Sequence, residues 1–216
     1  MALFIGLLGV IYSRIFLTEV ETYLPFLTVG YVTWGFISQV ITESCGSFQE
    51  GERLIKQIRL PYGLYVFRVV WRNFIIFLHT IAIFIPVALL FRVSLGLSVL
   101  LVVPALVLLL ANLTWVALTL AILAARFRDI TQIVATMTQI LLFATPITWP
   151  VSTLGSATWI AEINPLYHLI ELLRAPLLGR APAPLSWAVT IGMLVIGSAL
   201  ALLLLNRASK RIVFWV

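Results

Sequence analysis

From Leu95 to Ala125 the chain runs without a single charged side chain. Folded as one helix, that stretch would be roughly 46 Å long, well above the ~30 Å hydrocarbon core of a bilayer. It belongs in lipid, with Pro104 either as a kink or as the point where an external shoulder ends and the span begins. The same pattern recurs along the chain. Leu24–Ile41, Phe74–Phe91, Ile130–Pro146 and Ser186–Leu205 are apolar runs with charge between them, and Ala2–Tyr12 is a shorter one closed by Ser13 and Arg14. The last is shorter than the ~17–25 residues a spanning helix needs, so the chain is expected to begin inside its first helix. Six transmembrane helices follow, the first incomplete, in an all-α integral membrane protein. Composition agrees: 10% of residues are charged and 62% hydrophobic, against about 25% charged in soluble domains, and mean hydropathy is +1.12.

Several function classes drop out. The net charge of +6 suits anionic lipid heads or an anionic cytosolic surface in such a chain, and no nucleic-acid partner is expected. The lone Cys45 excludes intrachain disulfides and a multi-cysteine metal site. No phosphate-binding G-x-x-x-x-G-K-[ST] loop, HExxH or G-x-S-x-G occurs. His79 and His168 are too scattered for a metal site, so neither metal nor cofactor is expected. The centres of the expected spans carry no Asp, Glu, Lys or Arg, with Glu43 at an inner end, which speaks against ion coupling. A transporter of this kind draws its energy from a partner.

Polar residues mark the working parts. Leu24–Ile41 contains Thr28, Gly30, Thr33, Gly35 and Ser38, small residues that let helices approach closely, so it is expected inside a bundle. Its Leu27, Tyr31, Trp34 and Ser38 share a face that either lines an aqueous path or packs on neighbours. Gln132, Thr136, Gln139 and Phe143 form a stripe that does not suit lipid. In the polar segment 44–73, Leu54, Ile55 and Ile58 share one helical face while Arg53, Lys56 and Arg59 lie elsewhere. That fits a short amphipathic helix on a membrane or in a partner's groove, or a basic loop that sets topology.

The stretch Asn164–Gly179 sets His168, Glu171 and Arg174 among leucines, between Pro165 and Pro176. A helix over Leu166–Ala175 would be roughly 15 Å long, half a bilayer. It cannot span, and it reads as a lid over a pathway or as an external loop helix. With the N-terminus inside, the inner segments hold Arg53, Lys56, Arg59, Arg68, Arg72, Arg126, Arg128, Arg207, Lys210 and Arg211, and the outer ones Arg14, Arg92, Arg174 and Arg180. The excess of basic residues on one side places both termini in the cytoplasm and the lid outside.

Arg126-Phe127-Arg128-Asp129-Ile130, Phe143-Ala144-Thr145-Pro146-Ile147 and Asn164-Pro165-Leu166-Tyr167, in that order, resemble the ABC-2 type permeases that export polysaccharide, the membrane subunits of O-antigen, capsule and teichoic-acid exporters. Ile58-Arg59-Leu60-Pro61 and the closing Arg211–Val216 fit the same pattern. The resemblance implies a six-helix protomer, a homodimer with the channel between protomers, and a separate cytoplasmic ABC ATPase subunit. It also implies short external re-entrant gate helices between the fifth and sixth spans. Family members begin with a cytoplasmic amphipathic helix and a complete first span, from which this sequence departs.

The whole chain, 1–216, is then expected to be a single transmembrane permease domain with a coupling segment at 44–73 and an external gate segment at 147–185. It would move a lipid-linked polysaccharide across the bacterial cytoplasmic (inner) membrane and would not itself be an enzyme. Expected roles are channel lining by Tyr31, Trp34, Gln132, Gln139 and Phe143, ATPase coupling by Arg53, Lys56 and Arg59, and the gate by Pro165, Tyr167, His168, Glu171 and Arg174. Rival readings are an ABC-2 exporter of a lipid or drug, and a polytopic membrane enzyme acting on a lipid-linked sugar, for which only His168 and Glu171 are candidates.

Overall fold

The computed structural model describes residues 1–58 and 60–215, and all regular structure among them is helical. In chain order the helices are α1 (Ala2–Ile15), α2 (Val20–Ser44), α3 (Ser47–Glu50), α4 (Glu52–Gln57), α5 (Tyr62–Ile81), α6 (Phe84–Leu90), α7 (Val102–Arg126), α8 (Ile130–Ala144), α9 (Trp159–Ile163), α10 (Pro165–Leu177), α11 (Pro184–Ala208) and α12 (Ile212–Trp215). Two 3-10 segments, Leu97–Leu101 and Val151–Ala157, precede α7 and α9.

Among the described residues, four stretches are long and apolar enough to cross a membrane: Val20–Ser44, Tyr62–Leu90, Leu97–Arg126 and Pro184–Ala208. The first and fifth of the six expected spans are shorter, 14 residues in α1 and 15 in α8, or roughly 21 and 22 Å. The third begins at Tyr62, ahead of the expected Phe74. Arg68 and Arg72, which look like loop residues, lie on α5, where Glu50 (3.1 Å) and Glu43 (2.8 Å) pair with them. Pro86 explains the break between α5 and α6. It has no N–H to offer the Ala82 carbonyl, and Ile85 takes that carbonyl in a tighter turn at 3.0 Å. Pro104 falls in the first turn of α7, where a missing N–H costs nothing, so the tight shoulder ends and the span begins there.

Burial separates the spans. Of the most apolar 18-residue window, 67% is buried in α2 but only 17–22% in the other three. The small residues of α2 therefore pack inside the protein, as their spacing suggests. On the other spans large apolar side chains stay exposed, among them Leu78, Val107, Val195, Ile196 and Leu203. In a bilayer such faces meet lipid tails and carry no hydrophobic penalty. Two buried hydroxyls bond back to their own helix, Thr28 to Leu24 O at 2.7 Å and Thr190 to Ser186 O at 2.7 Å.

The chain forms two compact units. One comprises Met1–Gly35, Phe77–Val107 and Leu141–Thr190, with a core of Leu27, Val29, Ile147, Leu169, Ile170 and Leu172. The other comprises Phe36–Ile76, Leu108–Ile140 and Ile191–Val216. Its core holds Ile37, Phe48, Val69, Leu109, Leu113 and Ala117, and it seats Asn112, whose Oδ1 accepts from Trp115 Nε1 at 3.1 Å.

Candidate functional site

The first unit contains a break in regular backbone that its side chains have to repair. Pro146 follows the end of α8 and precludes its continuation, which leaves the last carbonyls of α8 and those of the turn beyond it without helical partners. Four side chains serve them. Trp149 Nε1 donates to Phe143 O at 2.9 Å. Asn164 Nδ2 reaches Ala144 O at 3.4 Å. Arg174 Nη2 donates to Pro146 O at 2.9 Å, and the Tyr23 hydroxyl donates to Thr148 O. Thr145, Pro146, Ile147 and Thr148 are all buried, and irregular backbone away from water requires such partners.

Two of the four donors come from the segment read as a lid. It forms a 13-residue helix, α10, with Pro165 at its first position and Asn164 as N-cap. Asn164 Oδ1 accepts from Leu166 N at 3.0 Å, and Asn164 Nδ2 donates to Thr145 Oγ1 at 2.9 Å. One amide thus caps α10 and ties it to the end of α8. The helix does not stop before Pro176 as expected but runs to Leu177. Its end is fixed two residues later by Gly179, at φ +77°. Gly179 N bonds Pro176 O (3.2 Å) and Arg180 N bonds Ala175 O (2.9 Å), the paired closure that favours glycine.

Arg174 is fully buried, with 0% of its side chain exposed. Its Nε lies 3.2 Å from Glu171 Oε2, one helical turn back, and Glu171 is 16% exposed. Its Cζ lies 4.2 Å above the centre of the Phe26 ring. Gly30 clears the space: a Cβ there would stand 3.3 Å from Ile147 O and 3.5 Å from Arg174 Nη1. Burial pushes the Arg174 guanidinium below its usual range, and the Glu171 carboxylate opposes that. Burial likewise raises Tyr167, followed by the influence of Glu171.

His168 is buried, with both ring nitrogens engaged. Nε2 faces Glu162 O at 2.7 Å and Nδ1 faces Ser186 Oγ at 3.0 Å. A carbonyl only accepts, so Nε2 carries the proton and Nδ1 takes the serine hydroxyl. The Tyr167 ring lies 5.3 Å from the imidazole, and Pro165 is exposed. Pro165, Tyr167, His168, Glu171 and Arg174 therefore share one short helix, whose buried face carries the histidine and the arginine. The donors Trp149 and Tyr23 escape sequence reasoning, because nothing local marks a carbonyl 125 residues away as the partner of Tyr23.

The family model of ABC-2 type transporters matches residues 1–178. The chain belongs to the ABC-2 type transporter family. It is thus a transport permease and a multi-pass membrane protein. No match to it is found among curated proteins.

In the second unit Arg53 is exposed on α4, and Lys56 pairs with Glu52 at 2.6 Å; the hydrogen bond from Lys56 lowers the Glu52 pKa. Arg59 lies outside the described residues. Of the apolar face, Ile55 is buried while Leu54 and Ile58 are 43% and 52% exposed. Beside it opens a groove of about 640 Å³ lined by Ile55, Ile58, Pro61, Lys210 and Val213 among others. Gln132 and Gln139 are exposed on α8, and Phe143 of the first unit is 67% exposed. Tyr31 is half-buried, with its ring 5.5 Å from that of Phe4, and Trp34 is buried.

Proposed function

We propose that this chain is the permease subunit of an ATP-driven exporter of a lipid-linked polysaccharide. It works as a homodimer in the bacterial cytoplasmic membrane with both termini in the cytoplasm. The observation that carries the reading is the meeting of two motifs. Thr145-Pro146 and Asn164-Pro165 resemble those of polysaccharide exporters, and Asn164 bonds Thr145 while Arg174 of the same helix bonds Pro146. In this reading α9 and α10 are external gate helices. Helices α1 and α8, with their flanking turns, complete six spans, and a short span is met by local thinning of the bilayer.

A cytoplasmic ABC ATPase subunit grips Arg53, Lys56 and Arg59. The exposed Ile58 and the groove beside α4 offer it an apolar foothold among basic side chains. Closure of the ATPase tilts the spans and opens a conduit between protomers lined by Tyr31, Trp34, Gln132, Gln139 and Phe143. Trp34 is buried in the protomer, so the tilt must uncover it. Sugars present hydroxyls and apolar C–H faces, which suit amides and aromatic rings that guide a polymer without gripping it.

The membrane-enzyme reading has little left to stand on, since His168 and Glu171 are committed to Glu162, Ser186 and Arg174. A deletion strain tests the proposal. Loss of surface glycan, with lipid-linked glycan accumulating inside, is expected. Wild-type chain should restore export, and a variant with Arg53, Lys56 and Arg59 reversed in charge should insert but fail to do so. Unchanged glycan with altered lipid or drug efflux would overturn the substrate assignment in favour of the other ABC-2 reading. A glycan altered in structure rather than in location would mean an enzyme.

A further inference from the structure

Two helices of the first unit end in the same manner and bring an arginine each to one cavity. At the end of α6, Val93 N bonds Ala88 O (2.9 Å) and Arg92 N reaches Leu89 O (3.4 Å), the closure already seen for α10. This places Arg92 at the left-handed position, with φ +50°. Glycine takes that conformation freely, and Gly179 holds the corresponding position in α10. A side chain other than glycine there costs stability, so an arginine at that point asks for a reason outside the fold.

The two helix ends lie against each other: a Cβ on Gly179 would run into the carbonyl oxygen of Ser94. The cavity beside this contact measures about 480 Å³, a size that suits a small polar ligand. Arg92 and Arg180 line it together with Glu21, Phe26, Phe91 and Pro150. Four arginines belong to this unit and no lysine does. Arg174 is spent on Glu171 and Pro146, and Arg14 borders a different cavity. Among the described residues neither Arg92 nor Arg180 forms an ion pair, although Glu21 shares their cavity.

The geometry points to a binding site for a phosphate-bearing polar head, held by Arg92 and Arg180 over an aromatic and prolyl wall. Guanidinium forks match phosphate oxygens two at a time. Glu21 gives the site an acceptor for the hydroxyl or ammonium group that accompanies phosphate in a lipid head or a phosphorylated sugar. Phe26 is common to the cavity and to the buried node, since the Arg174 guanidinium lies over its ring. The site stands on this geometry alone and does not depend on which substrate the permease carries.

The test is equilibrium binding to the purified full chain in uncharged detergent, with two probes: dihexanoyl phosphatidylglycerol for a lipid source and glucose 1-phosphate for a sugar source. Saturable binding of either probe is expected, and the tighter probe names the source. Arg180→Gln should weaken it about tenfold or more, the usual worth of a charge-assisted hydrogen bond to an anion. Arg92→Gly should weaken it similarly while raising the unfolding midpoint by about 2–4 °C, because the backbone strain is relieved. An arginine that merely finishes a helix would not separate binding from stability in this way. Three results overturn the assignment: no saturable binding of either probe, wild-type affinity in both variants, or an equal loss in the control Arg128→Gln, which lies in the other unit.

Discussion

The ion pair inside α10 allows a quantitative test of the buried node. Glu171→Ala leaves Arg174 with no exposed side-chain surface and no countercharge. Breaking a buried pair by removing one partner costs 3–5 kcal/mol. The lower end applies here, because the guanidinium keeps Pro146 O at 2.9 Å and the face of Phe26 at 4.2 Å. The expected loss is therefore about 3 kcal/mol, or a fall of roughly 6–12 °C in unfolding midpoint for a chain of this size. Arg174→Ala should cost a comparable amount for a different reason: it opens a cavity over Phe26 and orphans the Pro146 carbonyl, while Glu171 at 16% exposure can turn to solvent. The double variant should fall short of the sum by at least ~1 kcal/mol, since neither charge is then stranded. Replacing the pair with Glu171→Leu and Arg174→Met should recover much of the loss, because apolar residues of similar volume often match a buried pair. Intrinsic tryptophan fluorescence during thermal unfolding in detergent measures all four. Additivity within ~0.5 kcal/mol, or an unchanged midpoint for Glu171→Ala, would refute the pairing as a structural element.

Two further outcomes are expected. Asn164→Ala should destabilise by about 1–2 kcal/mol through loss of the cap and of the Thr145 tie, whereas Asn164→Asp retains the cap and should lose less; thermal midpoints decide, and equal losses would discount the cap. With Cys45 replaced, Arg180→Cys should react with a membrane-impermeant thiol reagent in intact cells and Lys56→Cys should not, while the reverse pattern inverts the topology.

Much of this fold is written in the linear pattern of apolar residues. The runs around Leu109, Val195 and Ile75 mark helices long enough to cross a bilayer, and the small residues of α2 foretell its burial. The start of α5 is harder to read. Arg68 and Arg72 look like interfacial punctuation until Glu50 and Glu43, 18 and 29 residues away, are seen beside them. Local charge count carries no information about such pairing. The Glu171–Arg174 pair was legible because three residues separate it on a helix. Its depth was not, because burial comes from Phe26, Gly30 and Ile147, and none of these is near it in sequence. Pro176 misleads because the helix runs through it to Leu177, although it has no N–H to offer the Leu172 carbonyl, and Gly179 provides the closure that ends the helix instead.

The pairing of the Thr145-Pro146 and Asn164-Pro165 motifs follows from the same hydrogen-bond accounting. A proline placed just past α8 stops the helix and strands carbonyls, those of Thr145 to Thr148 on buried residues. The Ala144 and Pro146 carbonyls take donors that arrive from elsewhere, and both come from one short helix, through Asn164 at its cap and Arg174 in its last turn. A short helix with a fixed start suits that role: Pro165 and Asn164 set where it begins, so the arginine ten residues on arrives at a fixed height and register. A chain that breaks α8 in this way therefore needs the second motif to keep the break closed. Displacing α10 would release both donors together, so the helix and the turn it serves can be expected to move as one body rather than to deform by degrees.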